Sequence, residues 1–165
     1  MPVVFLRIDD RYIHGQVTSM WMQTVNGQAI WIASDALAKN PFLKSLQESL
    51  APPGTKVEIS SMGEAKNHIK TMANRSDRIV LLVANPTDAL ELIKSGLKID
   101  CINVGQIGFK DGDTHVERTV SVGADDVEAC KELIKMGVRL EYQQLPHEPA
   151  NPKDFEASLK KANLI

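Results

Sequence analysis

The chain has 165 residues, 43% hydrophobic and 24% charged, with a formal net charge of −2 at pH 7. That length suits one domain, residues 1–165, which buries roughly 70% of its unfolded surface without disulfide or metal staples. A near-neutral charge with no basic tail or acidic block argues against a nucleic-acid partner held by bulk electrostatics.

Neither a membrane segment nor a signal peptide is expected. The longest apolar run, residues 79–84, falls far short of the roughly 20 needed to span a bilayer. The two cysteines, Cys101 and Cys130, fit no CxxC or metal spacing and read as buried, reduced thiols of a cytosolic protein.

In chain order, the apolar run Val3-Val4-Phe5-Leu6 predicts a first strand. A polar turn, Arg7-Ile8-Asp9-Asp10-Arg11-Tyr12-Ile13-His14-Gly15-Gln16-Val17, separates it from a helix expected over residues 16–25, ending near Asn26-Gly27. Residues 29–33 predict a buried strand. Asp35 or Asn40 then caps a helix with Pro41 in its first turn and Phe42, Leu43, Leu46 and Leu50 at helical spacing, closed by Pro52-Pro53-Gly54.

Residues 56–59 alternate as a third strand, and Ser61-Met62-Gly63-Glu64 reads as a capping box opening a helix. Ile79-Val80-Leu81-Leu82-Val83 predicts a central parallel strand covered on both faces. Asn85-Pro86-Thr87-Asp88 starts the next helix, which ends at Gly96, and residues 100–104 form a fifth strand. Residues 105–122 break the rhythm, with Lys110-Asp111-Gly112-Asp113 suggesting a hairpin turn. A helix through Val127, Cys130, Leu133 and Ile134, a last strand at 138–142 and a terminal helix at 154–162 complete the pattern. Alternating strands and helices define an α/β fold: an open, doubly wound, mostly parallel sheet of about six or seven strands, with helices on both faces.

Several chemistries lack their motif. There is no GxxxxGK[ST], no GxGxxG after the first strand, no GxSxG and no HExxH. Asp9, Asp10 and His14 supply potential cation ligands, but Arg7 and Arg11 beside them oppose a cation, so no metal and no cofactor are expected.

What remains is His14, with Arg11 three residues before it and Gly15 directly after. A neutral imidazole can attack phosphorus in line, given positioning and charge stabilisation. Arg11 suits bidentate contact with phosphate oxygens. The amides of Gly15 and Gln16 open a helix and point at the same place, while Asp9 or Asp10 orients the imidazole or holds an arginine. The same residues also fit a blander description: a satisfied loop histidine, a surface ion-pair cluster at Asp9-Asp10, and Arg7 ending its strand at the surface.

The stretch from Arg7 to Val17 resembles the active-site segment of the B components of the mannose/fructose/sorbose-type bacterial sugar phosphotransferase system. Ala51-Pro52-Pro53-Gly54, Asn85-Pro86-Thr87-Asp88, Ile102-Asn103-Val104-Gly105 and Thr119-Val120-Ser121-Val122 resemble that family's further landmarks, in order. The resemblance implies that His14 is the phosphohistidine, phosphorylated at Nδ1, and that Arg11, Gly15, Gln16 and Arg7 contact phosphate, with Asp9 and Asp10 in support. It also implies component IIA as phosphoryl donor and membrane components IIC and IID, with their bound sugar, as acceptor. The protein is then cytoplasmic, peripherally associated with a membrane transporter, and sugar choice rests mainly with the membrane partners. Tyr12 stands where leucine is frequent in the family, and Gln106 where many relatives have glycine. Two rival readings are a histidine phosphatase, which usually places arginine directly before His-Gly, and a regulatory module that only binds a phosphate ligand.

Overall fold

The computed structural model describes residues 2–165. Its first half runs β1 (Val3–Asp9), α1 (Gly15–Thr24), β2 (Ala29–Ala33), α2 (Asp35–Ala38), α3 (Pro41–Leu50), β3 (Lys56–Ser60) and α4 (Met62–Thr71). There follow β4 (Ile79–Val83), α5 (Pro86–Lys94), β5 (Cys101–Gln106), β6 (Thr114–Glu117) and β7 (Val120–Val122). The chain closes with α6 (Ala124–Lys135), β8 (Arg139–Tyr142), β9 (Lys153–Asp154) and α7 (Phe155–Lys161).

Seven strands form one sheet in the order β3-β2-β4-β1-β5-β8-β9. All neighbours pair in parallel except β8 with β9. The open, mostly parallel α/β sheet expected from the sequence is therefore present, with β1 in the middle. Alternate residues of a strand face opposite sides, and the core divides accordingly. Ile30, Ile32, Val80 and Leu82 pack with Met22 of α1, Leu37 of α2 and Leu43 of α3. Trp31, Leu6, Ile8, Leu81 and Val104 face the other way, onto α4, α5, α6 and α7. Every residue of β2 and β4 is buried, which is why both read as unbroken apolar runs.

The structure departs from the sequence reading in several places, each with a local cause. Asp35 and Asn40 do not compete to start one helix. Ser34 caps α2 by accepting from the Leu37 amide at 3.2 Å, and Asn40 caps α3 by accepting from the Leu43 amide at 3.1 Å. Asp35 instead reaches the Met62 amide at the start of α4, at 2.9 Å. The Ser61–Glu64 box is half formed. Ser61 Oγ accepts from the Glu64 amide, but the Glu64 carboxylate meets that hydroxyl rather than the Ser61 amide.

The Asp111-Gly112 turn does not close a hairpin. Lys110 and Asp113 bond each other locally, while the β6–β7 hairpin turns at Arg118-Thr119. β8 is not the last strand, because Tyr142 and Glu141 pair with the two residues of β9. Cys130 is buried as expected, but Cys101 is only half-buried. Burial pushes the thiols up to about 12 and about 11, respectively, so both stay protonated at neutral pH.

Candidate active site

The loop after the middle strand leaves the sheet at its carboxyl edge, where open α/β folds bind ligands. Two backbone features turn it. Tyr12 adopts φ +62°, with its amide donating to Asp9 C=O at 3.0 Å, and Gly15 adopts φ +47°. A Cβ at Gly15 would meet nothing within 4 Å, so glycine serves conformation there rather than crowding. Tyr12 tolerates its strained region because its side chain is anchored: the hydroxyl bonds Ser34 Oγ at 2.8 Å and the ring packs on the α1–α3 face of the core. Burial raises the Tyr12 phenol above its ordinary value, and the charges of Asp88 and Asp10 add to the shift.

His14 is the N-cap residue of α1 and its side chain is exposed. Its own amide donates to Thr18 Oγ1 at 2.8 Å, and its carbonyl accepts from the Val17 amide at 3.1 Å. The imidazole makes no capping bond. Gly15 and Gln16, both exposed, supply the first two amides of α1, which have no intrahelical acceptor. These amides and the positive helix end favour an anion beside His14.

The arginines occupy two levels. Arg7 is 3% exposed, not a strand end at the surface. Its four terminal N–H groups go to Asn103, Asp9, Gln143 C=O and Gln144 C=O, and its guanidinium lies 5.4 Å from the Trp21 ring centre. Those bonds engage its terminal donors beneath the loop, away from the exposed side of His14. Desolvation pulls its pKa down to about 10, against the opposing pull of Asp9, so it remains cationic at neutral pH. The backbone at Gly105 makes room for it, since a Cβ there would lie 2.2 Å from the guanidinium carbon.

Asp9, 1% exposed, joins the two levels. Its Oδ1 accepts from Arg11 N at 3.0 Å and Arg11 Nε at 3.1 Å, and its Oδ2 from Arg7 Nη2 at 3.2 Å and Arg11 Nη2 at 3.1 Å. All four acceptor positions of the carboxylate are thereby filled. Asp9 is a buried clamp, not half of a surface ion-pair cluster. Arg11 is 27% exposed, held edge-on by Asp9, and its Nη1 has no partner among the described residues.

Asp10 turns away from Arg11. Its carboxylate accepts from the Gly108 amide at 2.7 Å and its amide donates to Gln106 C=O at 3.1 Å, tying the loop to the end of β5. Three supporting contacts were not legible in the sequence. Asn103 and the carbonyls after β8 reach Arg7 from 96 to 137 residues away, Ser34 reaches Tyr12, and Gln47 of α3 meets the backbone of Ile13 and Arg11. Asn103 belongs to a family-like stretch, but no local pattern marks Gln47 or Ser34 as partners of this loop.

Fold and loop together define an open parallel α/β protein with an exposed histidine at a helix N-terminus, on the carboxyl edge of the middle strand. Comparison narrows that class. Residues 3–165 match the family model described as PTS system sorbose subfamily IIB component. The chain is 34% identical over 151 residues to the sorbose-specific EIIB component of Lacticaseibacillus casei, covering 92% of each. It is 36% identical over 149 residues to the mannose-specific EIIAB component of Escherichia coli K12, covering 90% of this chain and 46% of that longer protein. The crystal structure of the IIBSor domain of the Klebsiella pneumoniae sorbose permease superposes with a TM-score of 0.91 at 30% identity, covering 98% of both chains. The chain belongs to the sorbose/mannose/fructose family of phosphotransferase-system IIB components, which are phosphotransferases of sugar transport.

Proposed function

We propose that residues 1–165 act as a single phosphocarrier unit. His14 accepts a phosphoryl group from component IIA and passes it to a sugar taken up through membrane components IIC and IID. The observation that carries this reading is the exposed His14 at the start of α1, three residues from an arginine that keeps a free edge. The mannose-specific relative, an EIIAB component by name, supports the link to component IIA. No helix among the described residues is long and apolar enough to cross a membrane, consistent with a cytoplasmic protein acting beside its membrane partners. Relatives named for sorbose, mannose, fructose and N-acetylgalactosamine share this scaffold, which supports placing sugar choice in the membrane components.

The chemistry is in-line transfer. A neutral His14 nitrogen attacks phosphorus, its N–P bond forming as the donor's N–P bond breaks and the donor imidazole departs. In the second step a sugar hydroxyl attacks, an O–P bond replaces the N–P bond, and the hydroxyl proton leaves as imidazole is restored. No oxidation occurs, and charge on the equatorial oxygens is met by fixed dipoles and Arg11.

Incubation with phosphoenolpyruvate, the two general phosphotransferase proteins and component IIA tests the reading. It predicts an acid-labile, base-stable phosphate on the wild-type chain and none on His14→Ala. Failure to label with a verified active donor would overturn it. Saturable binding of a phosphate ligand without covalent label would point instead to a regulatory module, and hydrolysis of phosphate monoesters to a phosphatase.

A further inference from the structure

We propose that Gln47 is a positioning residue for phosphoryl transfer at His14, a role that rests on the phosphocarrier reading above. The starting observation is a buried glutamine on α3, one turn on from Leu43, which packs against the core. On α3 the apolar side chains Phe42, Leu46 and Leu50 are exposed at 74%, 43% and 43%, whereas the buried side chain is Gln47, at 8%. An apolar residue would fill that volume at no cost in desolvation, whereas a buried amide must be hydrogen-bonded to be tolerated.

The amide finds its partners in the active loop. Gln47 Oε1 accepts from the Ile13 amide at 2.8 Å, and Nε2 donates to Arg11 C=O at 3.3 Å. These bonds flank Tyr12, whose φ of +62° reverses the chain. Ile13 is 1% exposed, so without Gln47 its N–H is left unpaired and the loop must open to hydrate it. Arg11 is also held at its amide and guanidinium by Asp9. Side chains from two different elements therefore fix the peptide that carries Arg11 and sets the direction in which His14 leaves the loop. Gln47 bonds neither the Arg11 guanidinium nor His14, and it acts through the backbone between them.

Single-turnover transfer from phosphorylated component IIA tests this with two variants. Gln47→Met keeps volume and removes both bonds. It is expected to lower the saturated transfer rate about 10- to 100-fold, the scale of a misplaced reacting group, with little change in the half-saturating donor concentration. Hydrogen exchange should show the Ile13 amide deprotected while the strand amides stay protected. Gln47→Glu supplies a chemical rescue. Its protonated acid accepts from Ile13 and donates to Arg11, whereas its carboxylate can only accept, so its rate relative to wild type should climb as pH falls. That ratio carries the test if the methionine variant does not fold.

A wild-type saturated rate in Gln47→Met with the Ile13 amide exposed, or a Glu-to-wild-type ratio flat with pH, would overturn the proposal. So would an effect confined to half-saturation, which would make α3 a docking element. Absence of label on the wild-type chain would remove the phosphocarrier reading itself, and this role with it.

Discussion

Asp9 is buried between two arginines, and the charge arrangement of the loop depends on it. Arg7 and Asp9 are both nearly inaccessible to water, at 3% and 1% exposed, so each depends on the other to offset its desolvation. Asp9→Asn leaves Arg7 without its anion, and an amide N–H then faces guanidinium donors. We expect a loss of about 3–5 kcal/mol of stability, the cost of breaking a buried pair from one side, read by urea unfolding. Arg11 lies on the outer level with an unpartnered Nη1, and its removal should act on rate instead. Arg11→Ala is expected to slow transfer onto His14 by about 100- to 1000-fold, the effect of losing one preorganised charge-stabilising group. Transfer at the wild-type rate would take Arg11 out of the mechanism. The difference between these outcomes separates the buried Arg7–Asp9 pair, read by stability, from the outer Arg11, read by rate.

Helix termini set the chemistry at the scale of single elements. α1 offers its N-terminus to solvent beside His14, whereas α5 opens with a capped and crowded turn. Asn85 Oδ1 accepts from the Asp88 amide at 2.8 Å. The half-buried Asp88 carboxyl is pushed up to about 6, first by burial, then by Glu91 and Asp35, with Lys66 opposing. In the unfolded chain an aspartate titrates near 4, so the folded state holds this proton more tightly. The resulting stability is fully present below about pH 4 and is lost as pH rises through about 6. Asp88→Asn should therefore be more stable than wild type by about 1–2 kcal/mol near pH 8, after discount for partial exposure. The advantage should vanish below about pH 4, and urea unfolding at the two pH values gives the comparison. A variant less stable at high pH would show that the carboxylate's attraction to the helix end outweighs its burial.

Across the whole molecule, one sheet serves two cores, and its far edge is closed by the C-terminal segment. Phe155 and Leu159 of α7 are both 0% exposed within the same cluster as β1, β4 and β5. Phe155→Ala should cost about 3–5 kcal/mol, as for other large aromatic truncations in a packed core, while unfolding stays a single transition. A separate early transition would show that the C-terminal segment is an appendage. The middle strand of this sheet carries the candidate active loop, and its neighbours β4 and β5 hold it in register on both sides. Asn103 of β5 and the carbonyls beyond β8 complete the support beneath it.

Most of the architecture could be read from residue order, because it follows from local pattern. Apolar runs at 29–33 and 79–83 specify strands covered on both faces, and Asn40, Asn85 and Ser61 start helices through bonds to amides three residues on. Arg11, His14, Gly15 and Gln16 also sit within one short stretch, so the exposed part of the candidate site could be assembled from it. Contacts between distant segments were not. The burial of Arg7, the Asp9 clamp, the turn of Asp10 toward Gly108 and the amide of Gln47 against the loop depend on strand order and helix placement. So does the two-residue β9, too short to leave a pattern. Sequence alone determined the middle strand, the start of the helix after it and the polar loop between them, because periodicity and turn chemistry act over a few residues. Only the tertiary structure decided which arginine faces outward, because that choice depends on carboxylates, carbonyls and space brought together from across the chain.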